Sequence, residues 1–169
     1  SGTTYAGIMF NTELPLNEKS KFYAFGGYNY RLGTATGFVR RPNQGARQSG
    51  LYPLGFSPHI DSDIQDLSAA FGIDTNFNGW DVDFSNTYGS NSFKWTIFNT
   101  NNASSFLESL TTFDAGQLKY FQDVIDLDVS KEVDAGFPLN VAFGAEFRLE
   151  NFEQTAGQDE SWRNYDDDA

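Results

Sequence analysis

Few residues in this chain could carry bond-making chemistry. There is one histidine, His59, and no cysteine, so thiolate zinc sites and histidine-driven nucleophilic catalysis are effectively removed. His59 lies in a polar stretch beside Pro58 and Asp61. It could help capture a ligand or metal, or be a solvated surface residue. Asp61, Asp63 and Asp66 are close enough in sequence to hold a hard cation, but lack the glycine and terminal glutamate of an EF-hand loop. Arg40, Arg41 and Arg47 form a basic cluster in a chain of formal charge -12. Such a cluster suits an anionic ligand, and equally the plain solubility of a loop. Asp159-Glu160 and Asp166-Asp167-Asp168 read as a solvated acidic tail, with cation capture the lesser alternative. The expectation is a protein without catalytic residues, cofactor or bound metal.

The elements that would position these residues are strands. From Leu139 to Leu149 the odd positions are Leu139, Val141, Phe143, Ala145, Phe147 and Leu149, and the even ones small or charged. Successive strand side chains face opposite ways, so one face is apolar and the other carries Glu146 and Arg148, with Glu150 following. A charge ladder between strands is the structural expectation for these three. Eleven alternating residues exceed the usual strand of about five or six and match the roughly 9–11 that cross a bilayer as a tilted strand.

Six long strands are expected, in hairpins over 4–40, 65–98 and 117–153. Asn78-Gly79 marks the tightest turn, with short turns also at 15–20 and 134–138. Long connections are expected over 41–64 and 99–116, and a long tail over 154–169. Beyond Gly89 the apolar parity of the fourth strand flips to Phe93, Trp95 and Ile97, which predicts a bulge or a change of environment between Gly89 and Ser92. The fold class is all-β: an antiparallel meander with short turns on one rim and long loops on the other, the layout of a transmembrane barrel.

Composition supports strands over helices. Aromatic residues make up 17% of the chain, and no run approaches the roughly 18 apolar residues of a membrane helix. The acidic balance argues against nucleic-acid partners. The chain opens Ser1-Gly2 rather than on methionine and shows no signal peptide, so a processed or excised piece is expected.

The ordered segments resemble those of a family. Leu51-Tyr52-Pro53-Leu54-Gly55-Phe56-Ser57-Pro58-His59-Ile60, then 61–67, resembles the loop-to-strand passage of TonB-dependent outer-membrane receptors. So do Asn78-Gly79-Trp80-Asp81-Val82-Asp83, Asn86-Thr87-Tyr88-Gly89, 99–104, Phe113-Asp114-Ala115-Gly116, Leu127-Asp128-Val129-Ser130-Lys131-Glu132 and 139–148. The likeness spans most of the chain. It implies a barrel of about 22 strands enclosing a plug, nutrient uptake (a ferric siderophore is one example) energised through TonB, and an outer-membrane location in a Gram-negative cell. The chain has no plug and no TonB-contacting box, so it would be part of the barrel wall, partnered by outer-membrane lipid, the rest of the barrel, the plug and TonB. On that view Arg40, Arg41, Arg47 and His59 lie on an external loop, where ligand or lipopolysaccharide phosphate could meet them. Glu146, Arg148 and Glu150 would face the lumen, and Phe22, Tyr28, Tyr30, Trp80 and Tyr88 would form aromatic girdles.

Two alternatives use the same residues. A soluble, secreted β-sandwich could bind carbohydrate through Tyr52, Trp95 and Trp162. A self-associating fragment could pair its open edges with other copies.

Overall fold

A computed structural model describes residues 2–44 and 50–166. The chain forms one open antiparallel sheet in sequence order: β1 (Gly2–Asn17), β2 (Ser20–Thr36), β3 (His59–Phe77), β4 (Trp80–Phe98), β5 (Thr112–Asp134) and β6 (Pro138–Thr155). The expected six-strand meander is therefore the observed fold. Among the described residues β1 and β6 each pair on one side only, and no helix is long and apolar enough to cross a membrane.

Turn chemistry sets the register. Asn78 and Gly79 have φ of 53° and 80°, as a two-residue type I′ hairpin requires, so Phe77 pairs directly with Trp80. Asp134 accepts the Gly136 amide at 2.9 Å and closes a short loop that returns the chain at Pro138. Asn17 accepts the Lys19 amide at 2.8 Å. From these turns the β3–β4 pairing runs unbroken to His59 and Phe98. The bulge considered for Gly89–Ser92 is absent. The register shift in this half of the sheet lies higher, at Trp95/Thr96, where Ala115 is the extra residue on β5.

A change of environment accounts for the parity flip. Residues Leu14, Phe22, Ile73, Phe84, Leu127 and Ala145 form one hydrogen-bonded row across all six strands, all on one face. On that face apolar residues occupy Ala6–Leu14, Phe22–Leu32, Leu67–Phe77, Trp80–Tyr88, Ile125–Val133 and Leu139–Leu149, lengths of 9 to 11 residues. The charges at this level are Lys131, whose ammonium lies 5.4 Å from the Trp80 ring centre and donates to the Asn78 carbonyl, and Asp123, which pairs with Tyr88 and Leu149 at the loop-side limit and accepts from Asn86 at 2.7 Å. Above the band the same face turns polar: Asp61, Asp63, Ser90, Ser92, Lys94, Lys119 and Glu153.

The opposite face inverts the pattern. Beside the band it carries Tyr23, Asp74, Asp83, Asp126, Asp128 and Glu146. Above it come Ile60, Ile64, Phe93, Trp95, Ile97 and Phe113. Strand extension follows from this inversion: β3 starts at His59 rather than near Gln65, and β5 at Thr112 rather than near Gln117. Both added segments alternate in the opposite sense to the rest of their strand, and so read as loop in sequence. β2, in turn, ends at Thr36 rather than Arg40.

The band is also slanted. From β2 to β6 its upper limit passes from Leu32 to Leu149, and its lower limit from Phe22 to Leu139. Traced along the hydrogen-bonded rows, each limit drops by three two-residue steps. Three steps are about 20 Å at ~3.4 Å per residue, across four strand spacings of ~4.8 Å. The strands therefore lie about 45° from the normal to the band.

Little of this surface is buried within the chain. Among the described residues the buried apolar side chains are few, chiefly Phe56, Pro58, Ile64, Ala70 and Phe113, and total accessible area is 11490 Å², against about 8,300 Å² for a compact monomer of this mass. The turn geometry gives a direct test. Gly79→Val puts a β-branched residue at a φ of 80° and is expected to cost about 1–3 kcal/mol, read as a lower urea midpoint, whereas Gly89→Ala, where an added Cβ meets nothing within 4 Å, should leave the midpoint nearly unchanged.

Candidate functional site

The loop-side rim is knitted from three segments. In the first connection, Arg40 and Phe56 exchange backbone hydrogen bonds of 2.7 and 2.9 Å, and the Tyr52 ring packs on Phe56 at 4.6 Å. The second connection joins it through the Asn99 amide, which donates to the Ser57 carbonyl at 2.8 Å. The tail folds back over both. Asn102 donates to the carbonyls of Glu160 and Arg163 at 3.1 and 2.8 Å, and the Tyr165 amide donates to Ser104 Oγ at 3.1 Å. Gln158 clamps the tail to β5: its Oε1 accepts the Asp114 amide at 3.0 Å and its amide donates to the Asp114 carbonyl at 3.1 Å. Gly116, at a φ of 102°, admits this approach, since a Cβ there would lie 2.6 Å from the Thr155 carbonyl.

Between these segments lie two adjoining cavities of about 420 and 540 Å³, each within the roughly 300–1,000 Å³ range of small-molecule sites. They share Thr100, Asn101, Asn102, Ser161 and Trp162. The smaller one reaches down to Ile97 and Phe113, on the face opposite the apolar band, and no charged side chain lines it. The larger one is bounded by Arg40, Arg163 and Asp166. Asn101 is the anomaly: its Oδ1 and Nδ2 are both buried without a hydrogen-bond partner. An unsatisfied buried polar group costs about 1–3 kcal/mol. Trp162 stays 64% exposed, its indole N–H donating to the Gly157 carbonyl at 3.3 Å.

Only part of the site expected from sequence meets here. Arg40 lines the larger cavity. Arg41 lies in the loop beside it, its amide donating to Gln44, and Arg47 falls outside the described residues. His59 is no loop residue: it opens β3, stacks on Phe98 at 5.0 Å and sits 3.3 Å from Thr36 Oγ1. The aspartates are also divided between faces. Asp61 accepts from Thr34 at 2.6 Å, Asp63 from Tyr30 at 3.2 Å and Asp66 from Asn91 at 2.6 Å. Among the described residues no group of acidic or histidine side chains could hold a metal ion. In the tail, Asp159 and Glu160 begin a short 3-10 turn, Asp166 borders the cavity, and Asp167 and Asp168 lie outside the described residues.

Glu146, Arg148 and Glu150 share the polar face of β6, but their ladder runs along the strand rather than between strands, with Arg148 3.0 Å from Glu146 and 3.7 Å from Glu150. Phe22, Tyr28, Tyr30, Trp80 and Tyr88 all lie on the apolar face. Phe22 and Trp80 mark the turn side of the band and Tyr28, Tyr30 and Tyr88 its loop side. The three tyrosines are therefore in mid-strand, because the strands run on past the band. Sequence reading missed Asn101 and Gln158, whose surroundings come from segments distant in the chain; the Asn99–Asn102 run carries no periodicity to mark it.

Compared with known proteins, the chain matches no family model, and no curated protein is similar to it.

Above the band the main electrostatic contact is Lys94–Asp114, at 2.8 Å. Its hydrogen bond to Lys94, seconded by the Gly116 amide, holds the Asp114 carboxyl below the ordinary aspartate range. The same bond raises the Lys94 ammonium. A lowered carboxyl stabilises the fold above its unfolded pKa, and that contribution disappears as pH falls through the folded value. Asp114→Asn should therefore cost less than about 1 kcal/mol at neutral pH, as expected of an exposed pair. The difference in urea midpoint between wild type and variant should close in strong acid.

Proposed function

We propose that this chain is wall of a transmembrane β-barrel in an outer-membrane TonB-dependent receptor, with nutrient import as the activity of the whole receptor. The observation that carries the membrane reading is the slanted band. A tilt of about 45° agrees with the roughly 35–45° of membrane barrels. At that tilt, 9 to 11 residues per strand rise about 22–26 Å at ~3.4 Å each, close to the ~25 Å apolar belt of such barrels.

Other features agree with it. Phe22 and Trp80 on one margin, with Tyr28, Tyr30 and Tyr88 on the other, occupy the levels at which amphipathic rings meet lipid headgroups. Lys131 can send its ammonium to the turn-side margin while its stem stays over Trp80, the snorkelling expected of a basic residue near a membrane edge. On the opposite face the acidic side chains and the Glu146–Arg148–Glu150 ladder suit a wet lumen or plug contact. Next-neighbour antiparallel pairing with turns of two to three residues on one rim and loops on the other matches outer-membrane barrels. The free edges of β1 and β6 require partners, since unpaired amides cannot face lipid; further barrel strands supply them on this reading. The receptor family itself rests on the ordered segments from Leu51 to Arg148.

The test is insertion. The purified protein folded with phosphatidylcholine vesicles should float with them and keep Trp80 quenched by bromine-labelled acyl chains. Phe84→Arg, at the middle of the band, should cost about 2–4 kcal/mol in lipid, while Ser85→Arg on the opposite face should cost little. A chain that stays folded and monomeric in buffer without lipid or detergent, with Phe84→Arg harmless, would end the membrane reading.

A further inference from the structure

We propose that Lys131 and Trp80 form a site for the headgroup phosphate of an anionic phospholipid in the turn-side leaflet. This rests on the membrane reading and names a lipid partner at one place on the band. The band carries two charges, at opposite limits and of opposite sign. Asp123, at the loop side, accepts a hydrogen bond from Asn86 at 2.7 Å. Lys131, at the turn side, has no carboxylate within ion-pair distance among the described residues, whereas Lys21, Lys94 and Arg148 each have one. Alternation sends Glu132, its neighbour in sequence, to the other face. On its own face the neighbours of Lys131 are Val82, Val129, Val133, Val141 and Phe143.

The ammonium is placed for an acceptor from outside the chain. One of its three N–H groups donates to the Asn78 carbonyl at 3.3 Å, and the other two have no acceptor among the described residues. The turn leaves them open: a Cβ on Gly79 would stand 3.5 Å from Nζ, and glycine carries none. The Trp80 ring, centred 5.4 Å from Nζ, packs edge-on against Phe143 at 5.7 Å. Its indole N–H likewise has no acceptor among the described residues. An ammonium half-buried among apolar side chains and facing lipid needs a counter-charge, and at the margin of a bilayer the headgroup phosphates supply it. The lack of a carboxylate on this part of the face selects an anionic headgroup over a zwitterionic one, whose own ammonium would find no partner.

The experiment is local lipid competition, read at Trp80. Trp95→Phe and Trp162→Phe leave Trp80 as the sole tryptophan. The protein is folded into vesicles of equal phosphatidylglycerol and phosphatidylcholine, with bromine on the acyl chains of one lipid or the other. Quenching should favour brominated phosphatidylglycerol about fivefold, the attraction expected of one basic residue at an anionic surface. Lys131→Gln should abolish the preference, and Lys131→Arg should keep it. With Lys131 in place, about 1 M salt should remove most of the preference, a readout that needs no change at the site. Inorganic phosphate at matched ionic strength should leave it unaltered. Equal quenching by the two lipids, a preference that survives Lys131→Gln or high salt, or competition by inorganic phosphate would overturn the site while leaving insertion intact. Quenching by neither lipid would remove the membrane reading itself, and the site with it.

Discussion

Backbone pairing between neighbouring strands is the interaction on which this structure rests. The described sheet is a single layer with no second layer packed against it, so side-chain burial contributes little and the ladder of N–H to C=O bonds sets every position. Its register is fixed at the turns, above all by Asn78 and Gly79 in left-handed conformations. Because side chains alternate strictly, a one-residue slip at that hairpin would exchange the two faces of a strand along its whole length. The apolar band, its slant and the placement of Asn101 all inherit their geometry from those few turn residues.

A layer with one apolar face and two free edges is incomplete in water. The excess of about 3,000 Å² over a compact monomer measures surface that something outside the chain must cover. Lipid against the band and further strands along β1 and β6 would cover both at once, which is why the barrel-wall reading explains more of the molecule than a sandwich. A sandwich needs a second sheet over the band, and the described strands supply only one.

Alternation made β1, β2, β4 and β6 legible over nearly their full length and β3 and β5 over all but their loop-side ends, and Asn78-Gly79 fixed the best-defined hairpin. His59–Ile64 and Thr112–Gly116 were not legible as strand because their polarity is reversed, and reversed polarity looks like loop until the level of the band is known. The Phe93, Trp95 and Ile97 flip carried that information but did not distinguish bulge from environment. The charge ladder expected between strands runs along β6 instead, because Glu146 and Glu150 flank Arg148 on the same face at two-residue spacing. The cleft stayed hidden altogether. Its walls come from three connections whose sequences are irregular, and an orphaned carboxamide is visible only once its neighbours are in place.

The inverted polarity above Tyr88 has a mechanical consequence. From Tyr88 to Phe98 β4 continues for ten more residues in unbroken pairing with β3, a rise of about 24 Å at the same tilt. Paired strands resist bending far better than a flexible loop of equal length. The cleft is therefore carried on a stiff turret, clear of the apolar belt by nearly the belt's own thickness. A pull on the cleft therefore passes straight into the paired strands rather than being taken up by slack chain.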